Sequence, residues 1–326
     1  MAHQIEENKR MVWSVRGGTP WHKLGVAIDD DKIFDLDYCM EQGELNTHVE
    51  RTDLYIKVDN KFVNISNLGK GILRVEDNKP LAVVGPRFTP LQNKEAFDFF
   101  RPWVEEKMAY LESAGSLNNG RRMWVLAKIN LPNLEVVKDD QIARFVLLSN
   151  SHDGSLAVRL GFTDIRTICA NTLAQAHNST ASKLIRVRHS KSVKQKVENL
   201  RDIMNLANQE FETTAEKYRF LSSKSYNQND VNKFVKKMFS VENTPIVDIS
   251  TKTKNQMNRV FDLIETGQGN NLPGVKGTLW GIYNGFTSYL SHERGNTPST
   301  RLNSLWFGDS AIKNKQALET LLSLAV

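Results

Sequence analysis

The chain has 326 residues, of which 40% are hydrophobic and 25% charged, so it can bury a sizeable core in one or two domains and global disorder is excluded. Only two cysteines occur, Cys39 and Cys169, with no CxxC pair, which excludes a disulfide framework and argues against a structural zinc site. A formal charge of +6 does not by itself call for nucleic acid, and no apolar run reaches the length of about 18 residues needed for a membrane span. The polar start, MAHQIEENKR, reads as lacking a signal peptide, and a reducing, cytoplasmic setting is expected.

Charge is unevenly spread. Residues 29–53 carry nine acidic side chains against Lys32 and Arg51, whereas residues 183–201 carry seven basic ones against Glu198. Clustered positive charge is the first mark of a nucleic-acid binder.

In chain order, residues 1–45 read as an irregular arm, with Gly17-Gly18-Thr19-Pro20 as a turn. Apolar alternation over Val49–Val58 and Lys61–Ile65, around Asp59-Asn60, predicts a hairpin. Ile72–Val75 and Leu81–Val84 are short strands joined by a turn at Asp77–Pro80. Asn93 is placed as the N-cap of a helix reaching Lys107, kinked or broken at Pro102. Tyr110–Leu117 and Arg121–Ile129 flank Asn118-Asn119-Gly120, a strong hairpin signal.

Further along, Gln141–Ser149 reads as a buried strand, followed by strands at Ser155–Leu160 and Ile165–Ile168, a short helix at Ala170–His177 and a strand at Lys183–His189. From Ser192 the apolar period becomes three and four, predicting a helix of roughly 28 residues. Helices are expected at 229–239, 252–266, 277–293 and 310–325, and the Gly- and Asn-rich loop Gly267–Gly277 is expected to be mobile. The fold class is α+β: an antiparallel sheet with a hairpin packed on helices in a core domain at 46–190, then a helical region at 191–326.

Two polar clusters could carry chemistry. Ser151-His152-Asp153-Gly154 follows the buried strand, where a rigid element can position a loop, though the same residues are ordinary turn formers. Cys169-Ala170-Asn171-Thr172, taken with His152, offers Cys, His and Asn, which a hydrolase or transferase would need within hydrogen-bond reach; a buried structural cysteine is the plainer reading. No phosphate-binding glycine loop, cofactor motif or structural-zinc spacing is present, so no cofactor and no metal are expected, with a divalent ion at His152 and Asp153 as the minor alternative.

The basic residues form the most coherent set. Arg121 and Arg122 open a strand that also carries Trp124 and Lys128, and alternation puts Arg122, Trp124 and Lys128 on one face. Arg159, Arg166, Lys183, Arg186, Arg188 and Lys191 lie on or beside later strands. Cations with an interleaved aromatic are how single strands are held without base readout; a solvated, charged strand edge is the competing reading.

The chain resembles the phage- and plasmid-borne proteins grouped as domain of unknown function 932. The likeness rests on Pro20-Trp21-His22-Lys23-Leu24-Gly25, on Phe88-Thr89-Pro90-Leu91-Gln92-Asn93, and on Ser151-His152-Asp153-Gly154-Ser155 with Ile165 through Leu173. It continues in Trp280 to Tyr289 and in Arg301 through Gly308. The order of helix, hairpin, strands and short helix is also similar to phage single-strand annealing proteins of the Redβ and RecT type. These likenesses imply DNA metabolism or evasion of host defence.

The expected function is ATP-independent binding and annealing of single-stranded DNA by a homo-oligomer. Arg121, Arg122, Lys128, Arg159, Arg166, Lys183, Arg186, Arg188 and Lys191 would meet phosphate and Trp124 would stack, while Ser151, His152, Asp153 and Asn171 would shape the site. One rival is a protein that binds a host defence factor or a phage structural partner, using the acidic stretch Asp29–Asp53. The other is an enzyme using His152, Asp153 and Cys169.

Overall fold

The computed structural model describes residues 10–18, 25–166, 168, 171–175, 185–198 and 204–326. The chain is α+β, with mainly antiparallel sheets in the first half and helices in the second. It divides into two compact units. The first comprises Met1–Leu131, Val146–Gly161 and Leu184–Met204; the second comprises Pro132–Phe145, Phe162–Lys183 and Asn205–Val326.

The first unit is built on a hairpin. Ala109–Leu117 and Arg122–Ile129 pair antiparallel, closed by Leu117 opposite Arg122. Asn118, Asn119 and Gly120 all have positive φ (54°, 59° and 92°), the backbone state that makes Asn and Gly the turn residues of choice. Residues 10–45, expected to be irregular, instead supply the strands Met11–Ser14 and Val26–Ile28 and the helix Leu36–Gln42 among the described residues. Met11–Ser14 adds antiparallel to Ala109–Leu117, and Val26–Ile28 adds parallel to Met11–Ser14.

A second, three-stranded sheet has Lys70–Arg74 between Val49–Thr52 and Lys79–Val84. Pro80, which lacks a ladder donor, is tolerated because it lies on an edge strand beside a bulge at Ile72/Leu73. The hairpin expected around Asp59-Asn60 pairs only Tyr55–Val58 with Lys61–Asn64, because Val49–Thr52 belongs to the three-stranded sheet.

The helix expected from Asn93 to Lys107 is two helices, Asn93–Asp98 and Arg101–Glu105, with Pro102 in the first turn of the second, where its missing N–H costs nothing. The N-cap is Gln92 rather than Asn93. Phe97, Phe99, Phe100 and Trp103 are buried, with edge-to-face ring contacts among the last three.

In the second unit, Leu134–Val137 pairs with the start of Asp140–Ser151, and Asn171–Gln175 pairs with the end of Val158–Arg166. Asn171–Gln175 corrects the helix expected over Ala170–His177: a five-residue stretch has little helical stability of its own, and the adjacent strand offers a ladder. Strands expected separately at Ser155–Leu160 and Ile165–Ile168 form one, Val158–Arg166.

Helices follow at Met204–Ser222, Gln228–Met238, Thr251–Thr266, Leu279–Ser288, Pro298–Phe307 and Asp309–Leu324. The helix expected from Ser192 is seen as Val193–Glu198 in the first unit and Met204–Ser222 in the second, with 199–203 outside the described residues. Gly285 lets Leu279–Ser288 approach Thr251–Thr266 closely, since a Cβ there would stand 2.6 Å from Ile264 Cα. The loop expected to be mobile is pinned at its centre: buried Asn270 donates to the carbonyls of Leu263, Ile264 and Gly281. No helix among the described residues is long and apolar enough to cross a membrane.

Candidate functional site

The loop after Asp140–Ser151 is where distant segments of the first unit meet. Ser149, Asn150, Ser151 and His152 are buried. Ser151 Oγ closes the loop on itself, accepting from Leu156 N and donating to Leu156 O, both at 2.9 Å. Asp153 accepts from Ser155 N at 2.9 Å, and Gly154 takes a φ of 71°. Asn150 Nδ2 donates 2.8 Å to the carbonyl of Leu91, tying the strand end to the segment before the first helix pair.

His152 completes that tie. Its Nε2 lies 2.9 Å from Asn93 Oδ1. Asn93 Nδ2 donates to the carbonyl of Leu45 and to Thr47 Oγ1, so the amide is oriented with its oxygen toward the imidazole. The proton therefore sits on Nε2, assigned from the network. Burial pushes the His152 pKa down to about 4, helped by the neighbouring His189 and opposed by Asp153. The ring is a neutral donor within the core, 1% exposed.

His189 grips the same loop from another side. Its Nε2 lies 3.1 Å from the carbonyl of Leu156 and its Nδ1 3.2 Å from that of Thr89, and the ring stacks on Phe88 with centroids 4.5 Å apart. Burial lowers its pKa, against the two carbonyls, which favour the charged form.

Around this knot lie cations. Arg122 Nε donates to Ser155 Oγ at 3.1 Å, and the carbonyl of exposed Arg121 accepts from His152 N at 2.7 Å. Arg188 and Lys191, both exposed, flank His189 in the chain, and exposed Arg87 precedes Phe88. Segments around 87, 121 and 188 thus converge on Ser151–Leu156. Nearby Lys194 is paired with Glu95. Arg87 did not stand out in the sequence because it carries no periodic or clustered signal, and Phe88 stood out only within the family likeness; the stacking of Phe88 on His189 brings them in.

Other members of the expected basic set lie elsewhere or fall outside description. Trp124 is 1% exposed and packs against Gly115 on the paired strand, so the expectation that it stacks on bases is corrected: both faces of Arg122–Ile129 are covered and its indole is core. Lys128 is six residues along an extended strand from Arg122, about 20 Å away. It sits 5.9 Å over the Tyr110 ring, and its charge acts on Glu112. Arg159 is half-buried, and the ladder sets Arg186 directly opposite it. Lys183 lies outside the described residues, as do the side chains of Arg166, Asn171 and Arg186.

For the enzymatic constellation, Cys169 also lies outside the described residues, and no cluster of three metal-ligating side chains occurs among those described. The other cysteine, Cys39, is buried, and burial with the nearby Asp35 pushes its thiol up to about 12, which makes it inert as a nucleophile.

A family model described as Domain of unknown function (DUF932) matches residues 80–318, a span that contains the whole knot from Arg87 to Lys191. No curated protein and no solved structure matches the chain.

Proposed function

The chain belongs to the DUF932 family, a domain of unknown function, and from that premise we propose that it binds and anneals single-stranded DNA without ATP, as a homo-oligomer. In this reading it is carried by a phage or plasmid and acts in the host cytoplasm. One observation supports the reading above the others. Arg87, Arg121, Arg122, Arg188 and Lys191, scattered over a hundred positions, are gathered on one unit around a loop held rigid by Ser151, His152 and His189.

A rigid base matters because phosphate contacts gain most when the cations need no reordering. His152 in this reading is the post on which the loop is mounted. The hydrolase or transferase reading would need that imidazole within reach of a substrate, and its burial opposes it.

Fluorescence anisotropy with a labelled oligothymidine tests the proposal. Binding at low salt is expected, with log affinity falling against log salt by about 0.7 per contacted phosphate. Accelerated pairing of complementary oligonucleotides without nucleotide is the companion result. Absence of binding at about 50 mM salt, where electrostatic association is strong, removes the proposal.

A further inference from the structure

The strands Tyr55–Val58 and Lys61–Asn64 form a two-stranded sheet of their own, turned through Asp59 and Asn60 at positive φ. All eight strand residues are exposed. An isolated hairpin of this kind is at best marginally stable in water. Its apolar content makes the exposure costlier. The register puts Ile56, Val58 and Val63 on one face and Tyr55 and Phe62 on the other. Phe62 is 74% exposed. Exposed apolar side chains on both faces of a hairpin with open strand edges mark an interaction site.

A single DNA strand would stack on the aromatic face and leave Ile56, Val58 and Val63 in water. A protein partner covers both faces. The hairpin carries Lys57 and Lys61 with only Asp59 between them, so the partner surface should be acidic with an apolar floor. The same unit of the molecule has such a surface. An open cavity of about 680 Å³ is lined by Asp35, Asp37, Glu41, Glu44 and Glu76, with Tyr38 and Met40 among its walls. Arg10 is its one lining cation among the described residues.

The geometry points to head-to-tail self-assembly, in which the Tyr55–Asn64 hairpin of one copy docks in the acidic cavity of the next. The two surfaces differ, so the contact is heterologous and propagates into a ring or filament rather than closing as a two-fold dimer. This rests on the oligomeric part of the function proposed above, and its test contains no DNA, so the two fail separately.

Light scattering coupled to gel filtration decides it. The wild-type chain is expected to associate with increasing concentration. Lys57→Glu/Lys61→Glu and Glu41→Lys/Glu44→Lys should each weaken association about a hundredfold or more, because like charges then face each other. An equimolar mixture of the two variants should recover association, since each hairpin again meets a cavity of opposite sign. Phe62→Asp should also be monomeric, and far-UV circular dichroism should be unchanged in every variant, the altered side chains being exposed. A monomeric wild-type chain throughout the micromolar range overturns the inference. So does a cavity variant that assembles normally while the hairpin variant does not, which would mean hairpins pairing with each other.

Discussion

The six-membered ring of Trp124 fills the space that a side chain at Gly115 would occupy: a Cβ there would stand 2.3 Å from Cη2. The two residues are directly paired across the central hairpin of the first unit. Gly115→Ala should therefore destabilise the protein by about 1–3 kcal/mol through overpacking. Trp124→Ala should cost about 3–5 kcal/mol through the cavity it leaves. Urea denaturation curves measure both. Survival of Gly115→Ala with an unchanged midpoint would show that the indole has room to move.

Asn93 and His152 join segments 59 positions apart, and the pair sets an acid limit on stability. The folded-state pKa of about 4 lies below the ordinary 6.5, so the unfolded chain binds more protons between those values. The stabilisation is complete above pH 6.5 and is lost as pH falls through 4. His152→Gln should flatten the loss of stability over that window, as followed by thermal melts at a series of pH values. Asn93→Ala leaves a buried N–H without its acceptor and should cost about 1–3 kcal/mol at neutral pH.

Asp164 in the second unit has the opposite sign. It is 2% exposed, accepts from Tyr218 Oη at 3.3 Å, and burial raises its pKa from 3.8 to about 7, with Tyr218 and Arg144 pulling it back. The folded state holds this proton longer than the unfolded state, so the stabilisation is complete below about pH 4 and is lost as pH rises through 7. Asp164→Asn should gain stability relative to wild type on the alkaline side, on the order of 2–4 kcal/mol. A variant equal to wild type at pH 8 would mean that the carboxylate is already satisfied there.

The cations around the Ser151–Leu156 loop should act alike and independently of sequence. Arg121→Ala and Arg188→Ala should each reduce the salt slope of oligonucleotide binding by about 0.7, the share of one phosphate. Lys128→Ala should leave the slope unchanged, because Lys128 lies about 20 Å along the strand and is engaged with Tyr110 and Glu112. Equal effects from all three would mean that charge acts diffusely and no defined groove exists.

Much of the secondary structure was legible because its signals are local. Asn118-Asn119-Gly120 declares a turn through left-handed backbone preference alone, and Gln228–Met238 and Thr251–Thr266 declare themselves by apolar period and by the caps Asn227 and Ser250. The helix Pro298–Phe307, absent from the helices expected, carries signals of the same kind in Thr297, Pro298 and Gly308. Ser151-His152-Asp153 was legible as a place but not as a role. Its residue types suit a catalytic turn and a buried joint equally, and the difference lies in Leu91, Asn93 and His189.

By itself the sequence determined the α+β class, the central hairpin and the clustering of basic residues, because dihedral preference and hydrophobic period act over a few neighbouring positions. Which face of each strand met solvent was decided only in the folded chain. Trp124 and Lys128 share a face in the pleat, yet one became core against Gly115 and the other a partner of Tyr110. Burial is a property of what packs on a residue, and for His152 that partner, Asn93, lies 59 positions away, beyond the reach of any local pattern.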